Sequence, residues 1–374
     1  MKIKRIDVFQ YDLPFSGGVY HLSGGRTYTS FDATFVRVTS DDGIEGWGES
    51  TPFGSTYVAA HARGVRAGIE EMAGQLIGMD SRHVDRINQA MDETLVGHLH
   101  AKTAIDVACW DLFGKSVGMP VCDLLGGSTN QRMPVISSIH GGDPEDMRRR
   151  VAAHRAQGFM GHSLKVGTAE RDGGPSLDAE KIRACLADRQ PGEFFLVDAN
   201  GGLTVEHALR LLRLLPDETD IVLEAPCRTL RECQSLRRRT NVPIIMDELA
   251  TDDDTIAHII AGDIADGIGL KISKGGGLTR GRRQRDLCLA AGMTMSVQDT
   301  VGSEIALAAI LHLGQTVPSQ YLNCVLDVRS MVSASTAKID APIFDGGIVA
   351  PGLPGLGVEP DLALLGEPIA TYGN

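Results

Sequence analysis

Residues 194–200 read FFLVDAN, residues 221–227 IVLEAPC and residues 242–248 VPIIMDE. Each is a short apolar run ending in an acid, and each lies about one strand-plus-helix unit from the next. Runs of this length with amphipathic stretches between them predict parallel strands joined by helices. The same texture extends outward to PVISSI, GHSLKV, GIGLKIS, MTMSVQD and YLNCVLD, with helical segments such as PEDMRRRVAAHRAQG and LTRGRRQRDLCLAAG between. Eight such runs from about Arg132 onward predict a closed (β/α)8 barrel, an α/β fold.

The flanking chain has a different pattern. Up to about residue 127 it is strand-rich and then helical: KIKRIDVFQYDL, then ATFVRVTSDDGIEGWGES with a DDG turn signal, then AKTAIDVACWDLFGK. In the last of these, Ile105, Ala108, Cys109, Leu112 and Phe113 recur at helical spacing, which predicts an amphipathic helix with one core face ended by Gly118 and Pro120. Two Gly-rich polar loops, PFSGGVYHLSGG (14–25) and TPFGSTY (51–57), either cover a site or merely connect strands. After about residue 335 a Gly/Pro-rich tail leaves the barrel cadence. The expected organisation is an α+β capping domain over residues 1–127, completed by about 335–374, and a barrel over 128–334.

Composition limits the function. With 374 residues the chain is long enough for one large core plus a smaller domain. A net charge of −12 argues against nucleic acid or an anionic membrane as partner and for a small molecule. The seven cysteines are odd in number, scattered and never in a C-x-x-C pair, a pattern of reduced thiols. No signal-peptide h-region opens the chain and no long apolar run follows, so a cytoplasmic location is expected.

In such barrels the site lies at the carboxyl ends of the strands. Those ends supply Lys165, Asp198, Glu224, Asp247 and Lys271. Strand alternation turns Ser163 the same way as Lys165 and His162 the other way. A lone acid after a strand is often only a helix cap. Three acids on successive strands need a cation among them, because like charges at short range oppose one another's ionisation. An all-oxygen donor set suits Mg²⁺ better than zinc. Lys165 and Lys271, from the second and sixth strands, would then flank a substrate, and a nearby cation would lower the pKa of either as a base. Removal of a proton α to a carboxylate is the chemistry that uses this set. The backbone of KGGG (274–277) either cradles an anion or is only a tight turn.

These residues resemble the enolase superfamily, specifically the muconate-lactonizing-enzyme-like (mandelate racemase/muconate lactonizing enzyme) subgroup. The resemblance is carried by AIDVACWDLFGK, VDAN, LEAPC, MDE and GLKISKGGGLT and covers nearly the whole chain. It implies Asp198, Glu224 and Asp247 as Mg²⁺ ligands, Lys165 and Lys271 as acid and base, and a symmetric homo-oligomer. Where that subgroup has the first Lys of a K-x-K motif, this chain has Ser163. The S-x-K arrangement after a His, with SGGRTYTSFDATFVR and GHLHAK (97–102), resembles the cis-3-hydroxy-L-proline dehydratases of the superfamily. The function this implies is dehydration to 1-pyrroline-2-carboxylate through a metal-stabilised enediolate. An amino-acid or proline-betaine racemase or epimerase using the same lysines is the alternative, and a non-catalytic ligand-binding barrel is a third reading. Candidate substrate contacts are Ser163, Tyr20, Thr51, Tyr57, Gln298, Asp299 and Asp327.

Overall fold

The computed structural model describes residues 1–22, 26–129 and 132–374. Ser23, Gly24 and Gly25, part of the first Gly-rich loop and of the SGGRTYTSFDATFVR segment, lie outside the described residues. The amino-terminal strands are β1 (Ile3–Pro14), β2 (Tyr20–Leu22), β3 (Arg26–Tyr28), β4 (Ser30–Ser40) and β5 (Glu45–Ser50), followed by helices α1 (Ala62–Leu76), α2 (Val84–Thr94) and α3 (Leu99–Val117). The barrel strands are β6 (Met133–Ile139), β7 (Gly161–Lys165), β8 (Phe194–Asp198), β9 (Val222–Glu224), β10 (Ile244–Met246), β11 (Gly267–Lys271), β12 (Thr294–Gln298) and β13 (Leu322–Leu326). They pair in parallel in chain order, and β13 closes onto β6 through Val325 opposite Val135. This is the predicted closed barrel.

Helices lie between successive barrel strands, and local chemistry starts several of them. Asp143, Thr204, Thr229 and Asp252 each accept a backbone N–H three residues on, satisfying donors that the first helical turn leaves free. After β13 the chain leaves the repeat. The tail forms β14 (Ala337–Ile339), β15 (Gly347–Ile348), β16 (Val358–Pro360) and β17 (Ala370–Gly373). β15 lies antiparallel against β6, whereas β17 pairs antiparallel with β1 in a sheet of order β17-β1-β4-β5. We propose the division between cap and barrel at about residue 127, with the tail serving both sides.

The helix expected to have one core face, α3, is instead buried almost all round. Lys102, Thr103, Asp106 and Asp111 are as enclosed as its apolar residues. It lies between the cap sheet and the barrel, so its polar residues fasten the two together. Asp106 accepts the Thr279 amide at 3.0 Å, and the Trp110 indole N–H donates to Thr279 at 2.8 Å. On the sheet side, a Cβ on Gly46 or Gly48 would sit 2.1 Å from the carbonyl of Ala108 or Ala104, so only glycine lets the helix approach this closely. Glu49, at the end of β5, accepts from Ser303 and Ala306 at the start of the helix Glu304–Gly314. These contacts set the cap over the barrel mouth.

Candidate active site

The barrel ends meet at a small cavity lined by Lys165, Asp198, Glu224, Lys271, Gln298 and Asp299. Register explains the convergence: Lys165 lies opposite Asp198, and Asp198 lies opposite Glu224, on adjoining strands. Strands β7 and β11 stand four places apart in a ring of eight, so their terminal lysines enter from opposite sides. Below them Ile136, Leu196 and Leu326 form an apolar floor, since residues two positions apart on a strand face the same way. The cap supplies the roof. Tyr20, Leu22, Phe53 and Tyr57 lie over the cavity, and the Tyr20 hydroxyl meets the Ser138 hydroxyl at 2.9 Å. The two Gly-rich loops are therefore covers and not simple connections, in their described residues.

The site is dense in buried charge. Lys165 contacts Asp198, while Lys271 lies 2.6 Å and Lys274 3.0 Å from the Asp247 carboxylate. The Gln298 amide donates to Glu224 at 3.0 Å, and Asn200 donates to both Asp198 and Glu248 at 2.9 Å. Burial and the neighbouring Asp198 and Asp247 carboxylates push Glu224 well above the usual carboxylate range. Burial, with Asp247 and Asp198, also pushes Glu248 up to about 7. Burial opposes ionisation of Asp247 too, but the Lys271 and Lys274 ammoniums outweigh it and hold that acid low.

For both lysines burial favours the neutral amine, yet Asp198 at Lys165 and Asp247 at Lys271 outweigh it and raise the pKa. Each ammonium here serves as an acid's counter-charge; the lowering expected from sequence is that of an amine beside a divalent cation. Among the described residues no three acidic, His or Cys side chains converge on one point as ligands, because amines and amides hold their oxygens. The donor chemistry nonetheless fits a hard divalent cation: three carboxylates on successive strands, two in direct register, with Glu224 contacted by no ammonium among the described residues. Asp198, Glu224 and Asp247 are the residues that could hold one.

Of the substrate contacts expected from sequence, Ser163, Tyr20, Tyr57, Gln298 and Asp299 line the cavity. The Ser163 hydroxyl is buried and has no hydrogen-bond partner among the described residues, and burial pushes Asp299 up to about 6. Thr51 and Asp327 are not brought in. Thr51 donates to Glu49 at 2.9 Å, and Asp327 holds Arg329 at 2.9 Å, so local partners take both side chains. The KGGG backbone is not an anion cradle: the Gly276 and Gly277 amides both donate to the Ile272 carbonyl. Sequence reading missed Lys274, one helical turn beyond Lys271, as well as Asn200 and Glu248. Their signal was position: each sits within three residues of an acid or amine already singled out.

A capped (β/α)8 barrel whose mouth gathers carboxylates between opposed amines defines a class of enzyme built to handle an acidic carbon. The comparisons specify it further. Residues 146–364 match the family Enolase C-terminal domain-like, and residues 22–126 match the mandelate racemase / muconate lactonizing enzyme N-terminal domain. The chain is 39% identical over 372 residues to a cis-3-hydroxy-L-proline dehydratase from Roseibium aggregatum, covering 100% of each. It is 27% identical to an N-succinyl-L-Arg/Lys racemase from Bacillus cereus, covering 84% of each. A solved structure from Roseovarius nubinhibens, assigned to the mandelate racemase/muconate lactonizing enzyme group and complexed with magnesium, superimposes with a TM-score of 0.98 at 56% identity and 100% coverage of both chains. The chain belongs to the enolase superfamily, in its mandelate racemase/muconate lactonizing enzyme group.

Proposed function

We propose that the protein is a Mg²⁺-dependent dehydratase that converts cis-3-hydroxy-L-proline to 1-pyrroline-2-carboxylate. The observation that carries the reading is that Lys165 and Lys271 enter from opposite sides one small cavity that Asp198 and Glu224 also line, with Asp247 bonded to Lys271 beside it. Asp198, Glu224 and Asp247 would hold Mg²⁺, which supplies attachment for the substrate carboxylate and offsets the negative charge that develops there.

In cis-3-hydroxy-L-proline the hydroxyl and carboxylate share a face of the ring, and the hydrogen on C2 lies on the other. With Mg²⁺ on Asp198, Lys165 would no longer be that acid's counter-charge; as the neutral amine it takes that proton, the C2–H electrons form the C2=C3 bond, and the C3–O bond breaks. Lys271 protonates the departing hydroxide, so water leaves. The resulting enamine tautomerises to the cyclic imine. Opposed amines suit this anti geometry, which one base on one face would not provide. A positioned acid or base contributes about 10² to 10⁴ in rate, so losing either lysine is expected to be severe.

The catalytic cavity is small, and its lining is shared between cap and barrel. Tyr20 and Phe53 close it from above, which suits a five-membered ring. The partner is thus a small imino-acid carboxylate. The seven free, buried cysteines support a cytoplasmic location, and among the described residues no helix is long and apolar enough to cross a membrane. Incubating the Mg²⁺-loaded protein with each 3- and 4-hydroxyproline stereoisomer in deuterated water tests the proposal. Formation of 1-pyrroline-2-carboxylate from the cis-3-L isomer is expected. Deuterium entering C2 of intact substrate, with no loss of water, would instead establish a racemase or epimerase.

A further inference from the structure

The two opposed lysines are not held alike. Among the described residues the Lys165 ammonium bonds Asp198 alone. Lys271 has a second partner. Besides lying 2.6 Å from Asp247, its ammonium donates to the hydroxyl of Tyr57 and stands 4.9 Å from the centre of the Tyr57 ring. That hydroxyl in turn donates to Asp247 Oδ2 at 3.3 Å. Its single hydrogen is thus engaged, and its oxygen is left to accept from the ammonium. A lysine carries its amine on a flexible four-carbon stem, so an acceptor and a ring face together restrict where that amine lies.

Tyr57 is itself fixed by the cap. Its ring meets Phe53 edge-on with centroids 5.4 Å apart, and Phe53 packs in turn against Tyr20, Tyr28 and Phe31. The preceding residue is held twice: Arg26 donates to the Thr56 carbonyl at 2.8 Å, and the Tyr28 and Thr56 hydroxyls bond each other. The cap therefore reaches into the cavity, which Tyr57 and Lys271 both line, and holds one amine of the pair. An ion on Asp247 would take that acid from Lys271. Tyr57 is neutral and is the partner Lys271 then keeps. An ammonium has three N–H donors, so with one on Tyr57 the others can turn into the cavity.

We infer that Tyr57 is a positioning residue that aims Lys271 at the departing hydroxyl, and so decides whether an activated substrate loses water or takes a proton back at C2. The inference rests on the reading above, in which Lys165 removes the C2 proton and Lys271 protonates the oxygen that leaves with the C3–O electron pair. With Lys271 out of place, the C3–O bond breaks more slowly, and Lys165 has time to return a proton to C2.

Tyr57→Phe tests this, because it keeps the ring and removes the hydroxyl. The Mg²⁺-loaded protein and the variant are incubated with cis-3-hydroxy-L-proline in deuterated water, and two quantities are read: 1-pyrroline-2-carboxylate formed, and deuterium at C2 of the recovered substrate. The variant is expected to raise the ratio of deuterium uptake to water loss about ten-fold or more, the scale of one hydrogen bond to a charged group. A merely structural role would lower both together and leave the ratio unchanged. Crystal structures of the two Mg²⁺-loaded proteins give a readout without turnover: Lys271 Nζ is expected on the Tyr57 hydroxyl in the unaltered protein and away from that place in the variant. An unchanged ratio, loss of both reactions together, or a Lys271 amine that leaves Tyr57 when Mg²⁺ binds would overturn the inference and leave the proposed reaction standing. No water loss by the unaltered protein would overturn both.

Discussion

Replacing Lys271 with Met should do two things that pull in opposite directions. The ammonium lies 2.6 Å from Asp247, and its side chain is 6% exposed, so this is a buried, desolvated contact. Without added metal, the variant leaves Asp198, Glu224, Asp247 and Glu248 facing only Lys165 and Lys274. Breaking a buried pair by removing one partner costs about 3–5 kcal/mol. With Mg²⁺ the sign reverses. The ammonium competes for the Asp247 oxygen and repels any added cation, and two unit charges 4 Å apart interact by about 4 kcal/mol at an effective dielectric constant of 20. If a third to a half of that survives rearrangement of the lysine chain, the variant gains about 1.4–2 kcal/mol of Mg²⁺ affinity, ten-fold or somewhat more. Calorimetric titration with Mg²⁺ and chemical denaturation with and without it measure both effects. Unchanged or weaker Mg²⁺ binding would refute the reasoning, because it would mean that the ion does not share Asp247 with Lys271. Turnover should fall by about 10² or more in the same variant.

The remaining predictions concern other parts of the molecule. Lys165→Ala should abolish both dehydration and exchange of the C2 hydrogen while Mg²⁺ still binds, measured by product formation and by calorimetry; full activity would contradict the assignment. Gly277→Ala should destabilise the protein by about 3 kcal/mol or more, since φ is +105° there and a Cβ would stand 2.3 Å from Asp106 Oδ2, disturbing a buried network that holds cap to barrel. Denaturation curves would show it. Glu193 is buried, which by itself would raise its pKa, but hydrogen bonds from Arg155 and the Gln190 amide win and hold it below its ordinary 4.5. Its stabilising contribution is therefore present above pH 4.5 and lost as pH falls through the lower folded-state value. Melting temperature should decline below about pH 4.5, and Glu193→Gln should flatten that decline.

The barrel was legible because each of its strands carries its own signature: an apolar run of the right length, with the residues that face the mouth at its end. Lys165, Asp198, Glu224 and Lys271 all reach the cavity for that reason, and backbone register alone aligns three of them. Less was legible where burial comes from both sides. The apolar stripe of α3 implied one polar, solvent-facing side, whereas Lys102, Asp106 and Asp111 are buried because the cap and the barrel both supply partners. Thr51 and Asp327 were placed in the site by proximity in the chain, and each instead bonds a side chain two residues away. Lys274 was hidden for the opposite reason. It leaves the strand, turns once in a short helix at Ile272–Gly275, and comes back to Asp247, a path that strand alternation does not describe.

The central claim is one of placement: a divalent ion held by three acids, with an amine on each face of what it binds. A crystal structure of the Mg²⁺-loaded protein with L-proline in the catalytic cavity tests that directly. The account predicts oxygens of Asp198, Glu224 and Asp247 on a single ion, and the Nζ atoms of Lys165 and Lys271 on opposite faces of C2. An ion bound elsewhere, or both amines on one face of the ring, would contradict it.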